Sequence, residues 1–536
     1  MAKAADLLAR ALYQAGCRHA FGIPGGEVLT VMHALSHAGI DFHLAKHENP
    51  AGFMAEGTYH VTGAPGILVA TLGPGVANAA NVIANAYQDR VPLIFLTGCV
   101  DPIDQAGYTH QVFDHVRFLE PITKASFTLI DGAIETIAEK ALSIALEGRP
   151  GPVHIDVPIS LAAKDQGEGR PAAPRHYALG RPVENETLDQ ARQAFRAAER
   201  PILIAGLEVL HQGGEEAVAR LAQAFNIPLI TTYKAKGILP EDHGLCLGGA
   251  GLSPAADKHL LPLIQQADLV LLAGYDPIEM RHGWKHIWNP DDVTVLDFVA
   301  APADHAMHRA SWTFLGNIAE GLAAVSDQAT PKATWPEQEP NRVRQALAQT
   351  FAADEDWGPA AIIDEVQKHL PGNAIATVDS GAHRILLAQI WRCPAPRSLL
   401  QSSGLCTMGC ALPLAMGAKL ADPSRPVVAF SGDAGLEMIL GELTTLRDLA
   451  IPVVVVVFVD ASLALIELKQ RNSGRENLGV DFGQTDFAGL TQALGGHGIT
   501  ATSRQELATA MDQALSSDRF TVIAAQIPRT SYDGRF

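Results

Sequence analysis

The chain has 536 residues, 47% of them apolar and 18% charged, and a formal net charge of −18 at pH 7. That length suits about three domains of ~150–200 residues, and the composition is that of a globular enzyme with large cores. The negative charge argues against a nucleic-acid or anionic-membrane partner, and no apolar run reaches the ~18 residues that suggest a membrane span.

The first block is expected over residues 1–165. Residues 4–15 read as an amphipathic helix that runs straight into a strand-turn signal at 19–26, so they belong to the fold and are no signal peptide. Residues 41–45 read as a strand with Glu48 just past its end. Apolar runs at 67–71, 93–97 and 153–157 alternate with helical patterns. Residues 162–182 turn polar and Pro/Gly/Arg-rich, as a linker does. A second block, 185–330, carries strand signals at Pro201-Ile-Leu-Ile, Pro228-Leu-Ile-Thr-Thr and Leu269-Val-Leu-Leu. A second linker is expected at 329–341, and a third block at 345–536.

The third block holds the most informative stretch. Residues 427–431 read as a strand that stops at Gly432-Asp433-Ala434-Gly435. One helix is expected next, with Leu436, Leu440, Leu443 and Leu446 on one face, then a buried strand over 453–459. Asp433 and Asp460 lie 27 residues apart, the length of one crossover helix plus one strand. In a parallel βαβ unit both carboxylates reach the ligand-binding edge of the sheet, where two hard oxygens suit a Mg²⁺ that holds a diphosphate. A Gly-Asp turn by itself is common and weak evidence. Ser380-Gly381-Ala382-His383, fed by a strand, offers backbone N–H groups and an imidazole to a phosphate. Glu48 alone reads as an exposed strand-end glutamate, and Met408 alone as a core methionine. Alternation of this kind predicts an α/β chain of three consecutive doubly wound parallel-sheet domains. Six cysteines (Cys17, Cys99, Cys246, Cys393, Cys406, Cys410) include no CxxC, so buried free thiols in a reducing cytoplasm are expected.

Several motifs occur in one order. Phe21-Gly-Ile-Pro24-Gly25-Gly26 precedes His47-Glu48-Asn49-Pro50-Ala51, Met54-Ala-Glu-Gly57 and Thr62-Gly63. Then come Leu72-Gly-Pro-Gly75-Val-Ala-Asn78, Ala86-Tyr-Gln-Asp89-Arg-Val-Pro-Leu93, His110-Gln111, and Pro121-Ile-Thr-Lys124. Ser403-Gly-Leu-Cys406-Thr-Met408-Gly409, the Asp433 turn and Asp460 close the series. The chain thus resembles the thiamine-diphosphate enzymes over nearly its whole length, nearest their acetolactate-synthase-like branch.

That resemblance implies a pyrimidine-binding first domain, a central domain and a diphosphate-binding third domain. It implies that Glu48 bonds the aminopyrimidine N1′ and drives the tautomer that frees the thiazolium C2. Met408 would wedge under the bend of the cofactor, and the Cys406 carbonyl would accept from the 4′-amino group. Asp433, Asp460 and the Ser462 carbonyl would hold Mg²⁺. Gly381, Ala382 and His383 would touch the diphosphate, and Pro24, Gly25, Asn78, Gly432, Ala434, Gly435, Leu465 and Ile466 would line the cofactor. The family's sites lie between subunits, so a homodimer or homotetramer is implied, with Glu48 of one chain serving Asp433 of another.

The departures are specific. Asp460 stands where Asn is usual. Ile466 stands where simple pyruvate decarboxylases carry a proton-donating Glu, and His110-Gln111 where they carry His-His, while Gln111 matches the synthases. A carboligase is therefore expected: it decarboxylates a 2-oxo acid such as pyruvate and joins the acyl unit to a second 2-oxo acid or an aldehyde. The alternatives are a non-ligating decarboxylase or C–C lyase with His110 as proton relay, and a flavin-dependent pyruvate-oxidase-like enzyme. Residues 274–281 and 247–252 depart from the flavin-contacting segments of the synthases, and Lys469 replaces a pocket tryptophan. These put FAD and the acceptor in doubt.

Overall fold

Apolar runs rich in Val, Ile and Leu, bounded by Gly- and Pro-containing turns, form the strands, and amphipathic stretches between them form the covering helices. The computed structural model describes residues 2–169, 175, 177–302 and 305–536, and only the backbone of residue 279. Among these residues the strands build three six-stranded sheets in which every pairing is parallel.

The first sheet holds β1 (His19–Gly22), β2 (Asp41–Leu44), β3 (Gly66–Ala70), β4 (Leu93–Cys99), β5 (Ala125–Thr128) and β6 (Pro152–Pro158), in the order β2-β1-β3-β4-β6-β5. The second holds β7 (Pro201–Ala205), β8 (Leu229–Thr232), β9 (Cys246–Ala250), β10 (Leu269–Ala273), β11 (Thr294–Val299) and β12 (Trp312–Leu315), in the order β12-β11-β10-β7-β8-β9. The third holds β13 (Ile375–Val378), β14 (Leu399–Gln401), β15 (Val427–Gly432), β16 (Val454–Val459), β17 (His497–Ala501) and β18 (Thr521–Gln526), in the order β14-β13-β15-β16-β18-β17. This is the expected architecture of three doubly wound sheets. The third sheet repeats the strand order of the first. Every residue of β3, β4, β6, β13 and β16 is buried, as strands covered on both faces must be. Among the described residues no helix is long and apolar enough to cross a membrane.

Two local expectations need correction. The single helix after Asp433 is broken into Asp433–Glu437 and Glu442–Leu449. Ile439, not Leu440, is buried at the break, and Met438 is exposed. The proposed linker at 329–341 is partly anchored: Trp335 is buried and its Nε1 donates to the Pro201 carbonyl at 2.8 Å, and a helix begins at Glu339. Of the linker at 162–182, residues 170–174 and 176 lie outside the described residues.

The first and third blocks share one core, at whose centre helix Glu48–Thr62 crosses helix Ala411–Ala421. The crossing is made by two glycines. A Cβ on Gly417 would stand 1.9 Å from the Met54 carbonyl oxygen, and one on Gly57 would stand 2.3 Å from that of Leu414. Glycine inside a helix costs ~1 kcal/mol relative to alanine, and here it permits backbone contact. Beside the crossing runs a buried polar network that reaches all three blocks. Lys234 Nζ lies 2.9 Å from Asp89 Oδ2 and 3.7 Å from Glu56 Oε1. Glu56 Oε2 accepts from Asn85 Nδ2 (3.0 Å), and Asn85 Oδ1 accepts from Ser402 Oγ (2.6 Å). Asp89 also accepts from the backbone N–H of Ser403 and Gly404, at 3.0 and 2.6 Å.

Replacing Gly417 by Ala is expected to destabilise the chain by about 1–3 kcal/mol, read as a lower midpoint of urea unfolding. Gly372→Ala, where an added Cβ meets nothing within 4 Å, is the control and should shift it by less than about 0.5 kcal/mol.

Candidate active site

On the third sheet β15 ends at Gly432, where the short helix Asp433–Glu437 begins, and β16 ends one residue before Asp460. Gly432 is paired with Phe458, so both aspartates sit at the same strand-end edge. Asp433 Oδ2 accepts from the backbone N–H of Asp460 (3.1 Å) and Ala461 (2.7 Å), and Oδ1 accepts from Ala434 N–H (2.8 Å). Asp460 Oδ1 accepts from Ser462 N–H at 3.1 Å. Burial, and then the charge of Asp433, pushes the Asp460 carboxyl up to about 7. Asp433 is raised as well, chiefly by burial. Two buried carboxylates side by side, both costly to ionise, form a donor set that fits a hard divalent cation.

At the end of β13 helix Ala382–Ile390 begins. His383 lies in its first turn, buried, with the ring stacked on Phe458 at 5.3 Å. Burial, with the Arg384 charge, pushes this imidazole down to about 3, so the ring is neutral. Among the described residues its Nε2 and the buried Ser380 Oγ have no hydrogen-bond partner. Orphaned polar atoms beside a helix N-terminus fit a phosphate group. Gly435 comes close to Asp379, whose Oδ2 would lie 2.1 Å from a Cβ there.

Asp379 is a residue that sequence reasoning missed. It is fully buried and accepts from the N–H groups of Ser380 (2.8 Å), Gly409 (2.9 Å) and Cys410 (3.2 Å) and from Ser431 Oγ (3.1 Å). It ties the segment carrying Met408 to the strand ends. The expectation that every thiol is buried fails at Cys406, which is exposed while the other five are buried. Its φ of 55° is left-handed, a conformation glycine adopts freely, and its thiol donates to the Ser403 carbonyl at 2.9 Å. Arg384 Nη2 donates to Cys406 Sγ at 3.1 Å.

In the first block Glu48 is the first residue of its helix and is buried. Its Oε2 accepts from Asn78 Nδ2 at 3.0 Å, and Gly75 is close enough that an added Cβ would stand 3.3 Å from Oε1. Glu48, Gly75 and Asn78 thus meet. A second missed residue sets the approach: Glu442 Oε1 accepts from the N–H groups of Lys46 (2.9 Å) and His47 (3.2 Å). It belongs to the third block, and no local signal marks it.

Gly25 abuts Thr71, whose hydroxyl donates to Glu27 Oε2 at 2.6 Å, and Pro24 is exposed. His110 and Gln111 lie on an exposed loop and line a cavity of about 450 Å³ with Glu27, Leu72, Ile103 and Tyr108. Gln111 has φ 59°, and its carbonyl packs on Gly73. On helix Ala464–Asn472, Leu465 is half-buried and Ile466 exposed. Among the described residues no hydrogen bond or ion pair links the Glu48 group to the Asp433 group. Around both, large apolar side chains face outward, among them Ile103 at 88% and Leu478 at 82% exposure.

The family models described as the N-terminal thiamine pyrophosphate (diphosphate) binding domain, the central domain and the C-terminal thiamine pyrophosphate binding domain of thiamine pyrophosphate enzymes match residues 2–118, 188–325 and 379–525. Acetolactate synthase of Bacillus subtilis is 29% identical, over 97% of this chain and 92% of its own. The acetolactate synthase large subunit of Lactococcus lactis is 30% identical over 91% and 86%, and the isozyme 1 large subunit of Escherichia coli 31% over 87% and 83%. With the three models falling on the three sheets in order, and this likeness sustained across nearly the whole length, the chain belongs to the thiamine-diphosphate-dependent enzymes, in their acetolactate-synthase-like branch.

Proposed function

We propose that the chain decarboxylates a 2-oxo acid such as pyruvate and ligates the acyl unit to a second 2-oxo acid or an aldehyde, using thiamine diphosphate and Mg²⁺. Bound thiamine diphosphate supplies a nucleophilic carbon and an electron sink. Asp433, Asp460 and the Ser462 carbonyl hold the Mg²⁺, and Gly432, Ala434 and Gly435 shape the turn around it. Gly381, Ala382 and His383 receive the diphosphate at the helix start. Cys406, through its carbonyl, and Met408 orient the ring system, with Leu465 and Ile466 against it and Pro24, Gly25 and Asn78 on the opposite wall. Glu48 shares a proton with the aminopyrimidine N1′, and Asn78 keeps its carboxyl aimed. Gln111 and His110 face the substrate from the loop. Flavin is left out of the reading: Arg281 is engaged by Asp257 at 2.5 Å, and the Glu208 carboxylate accepts from Ala300 N–H at 2.5 Å across the edge of the central sheet.

Ile466 carries the choice of ligation. It presents an alkyl chain where a proton donor would release an aldehyde, and the neighbouring acid, Glu467, is buried and paired with Arg471 at 2.9 Å. A second reading, a non-ligating decarboxylase or C–C lyase, rests on His110 in the same cavity. The separate Glu48 and Asp433 groups and the outward apolar residues support a homodimer or homotetramer with sites shared between chains. The free thiols suit a cytoplasmic setting.

Incubation with pyruvate, alone and with aldehydes, tests the reaction: a ligated hydroxyketone or acetolactate is expected, and acetaldehyde as the only product would select the second reading. Glu48→Gln should lower kcat by at least about 100-fold while thiamine diphosphate binding, followed by calorimetry, stays within threefold.

The raised Asp460 carboxyl gives a linkage prediction. In metal-free protein its contribution to stability is full below its unfolded value of 3.8 and is lost as pH rises through about 7, a loss of up to ~4 kcal/mol. Denaturant titrations in chelator should show this decline in the wild type, a flatter profile in Asp460→Asn, and recovery on adding Mg²⁺. Equal pH slopes in the two proteins would contradict it.

A further inference from the structure

Beneath the 73–75 turn lies a buried cluster that the proposed reaction leaves unused. It comprises Thr97 on β4, Ser126 on β5, His154 and Asp156 on β6, and His115 at the start of helix His115–Leu119. Ligand atoms of His115, His154 and Asp156 lie within 4.8 Å of one another, as in a metal site. Proton bookkeeping assigns them otherwise. Gly73 N–H donates to His115 Nε2 at 3.1 Å, so that nitrogen bears no proton. The imidazole hydrogen is therefore on Nδ1, aimed at Asp156 Oδ1, 2.9 Å away. A metal on Nδ1 would move that hydrogen to Nε2 and set it against the Gly73 N–H. Thr97 Oγ1 donates to the same Asp156 oxygen at 2.5 Å. His154 Nε2 then donates to Thr97 Oγ1 (2.7 Å), and Ser126 Oγ donates to His154 Nδ1 (2.5 Å). Every proton in the chain is placed, and none is left over. Burial alone would raise the Asp156 carboxyl, but the bond from His115, with the His154 ring 3.4 Å away, holds it well below the usual carboxylate range.

The chain of bonds ends where the site begins. Gly73 has φ 66°, and an added Cβ would stand 2.3 Å from the Gln111 carbonyl oxygen. Two residues on, Gly75 backs Glu48 Oε1. We infer that Asp156 and His115 are positioning residues: Asp156 locks His115 in its Nδ1–H tautomer, and His115, by accepting from Gly73 N–H, sets the turn that seats Gln111 and backs Glu48. The roles of Gln111 and Glu48 rest on the proposed function. The bond chain stands without it.

Asp156→Asn keeps the size of the side chain, but its amide can donate to Nδ1 and drive His115 to the Nε2–H tautomer, which opposes Gly73 N–H. The same tautomer logic is known for the aspartate of serine-protease triads. Long-range ¹⁵N–¹H correlation of labelled histidine should report Nδ1–H in the wild type and Nε2–H in Asp156→Asn. Amide exchange of residues 72–78, followed by mass spectrometry on the full apoprotein, should quicken at least tenfold in the variant. In the loaded enzyme kcat should fall at least tenfold with donor KM within threefold. His115→Gln, which keeps an acceptor for Gly73, should retain at least three times the kcat of His115→Leu, and this pair decides the matter if Asp156→Asn does not fold. Unchanged exchange at 72–78 in Asp156→Asn, or equal activity of the two His115 variants, would overturn the proposal. Faster exchange in a protein whose wild type turns over no 2-oxo acid supports the relay and sinks the proposed reaction instead.

Discussion

The contact on which the site depends is the crossing of helices Glu48–Thr62 and Ala411–Ala421 at Gly57 and Gly417. Glu48 opens one helix, and Met408 and Gly409 lead into the other. Whatever sets the crossing therefore sets the proposed acid of the first block and the cofactor-facing segment of the third. Two backbones in contact leave little slack for side chains to absorb at that point, and the apolar side chains of both helices pack around it. The Lys234–Asp89–Glu56 network holds the central block to the same point. A single buried lysine facing two carboxylates is stable only while both stay in place, which makes the network specify geometry more than it adds stability.

The buried acids divide by how they are answered. Asp156 is met by donors from His115 and Thr97, and Asp379 by three backbone N–H groups and a hydroxyl. These acids hold loops in position. Asp433 and Asp460 sit side by side at a strand-end edge, both raised chiefly by burial, and the Asp433 charge adds to the rise at Asp460. His383 and Ser380 add polar atoms without partners among the described residues. Carboxylates side by side and unsatisfied polar atoms at one strand-end edge fit a cation and a phosphate.

Much of the site could be read along the chain because its parts are local. A strand ending in Gly432-Asp433, a helix starting at Ala382 and an acid starting a helix at Glu48 each leave a short motif, since a turn, a helix start and a strand end are built from consecutive residues. The misreadings are equally physical. The helix after Asp433 is in two pieces, with Ile439 buried at the break and Leu440 half-buried against the same core. Cys406 looked like a core residue by composition, yet it is exposed, on a left-handed backbone. Glu442, Asp379 and His115 left no motif, because their partners are tens to hundreds of residues away.

The sequence by itself determined the three-sheet architecture, the family and the list of groups at the strand ends, because hydrophobic period and turn chemistry act between neighbours. Only the tertiary structure decided which acids are answered and which are left open, how two glycines bring two blocks into contact, and that a histidine under the 73–75 turn carries its proton on Nδ1. Those outcomes depend on hydrogen bonds and close approaches between segments far apart in the chain, which no local pattern encodes.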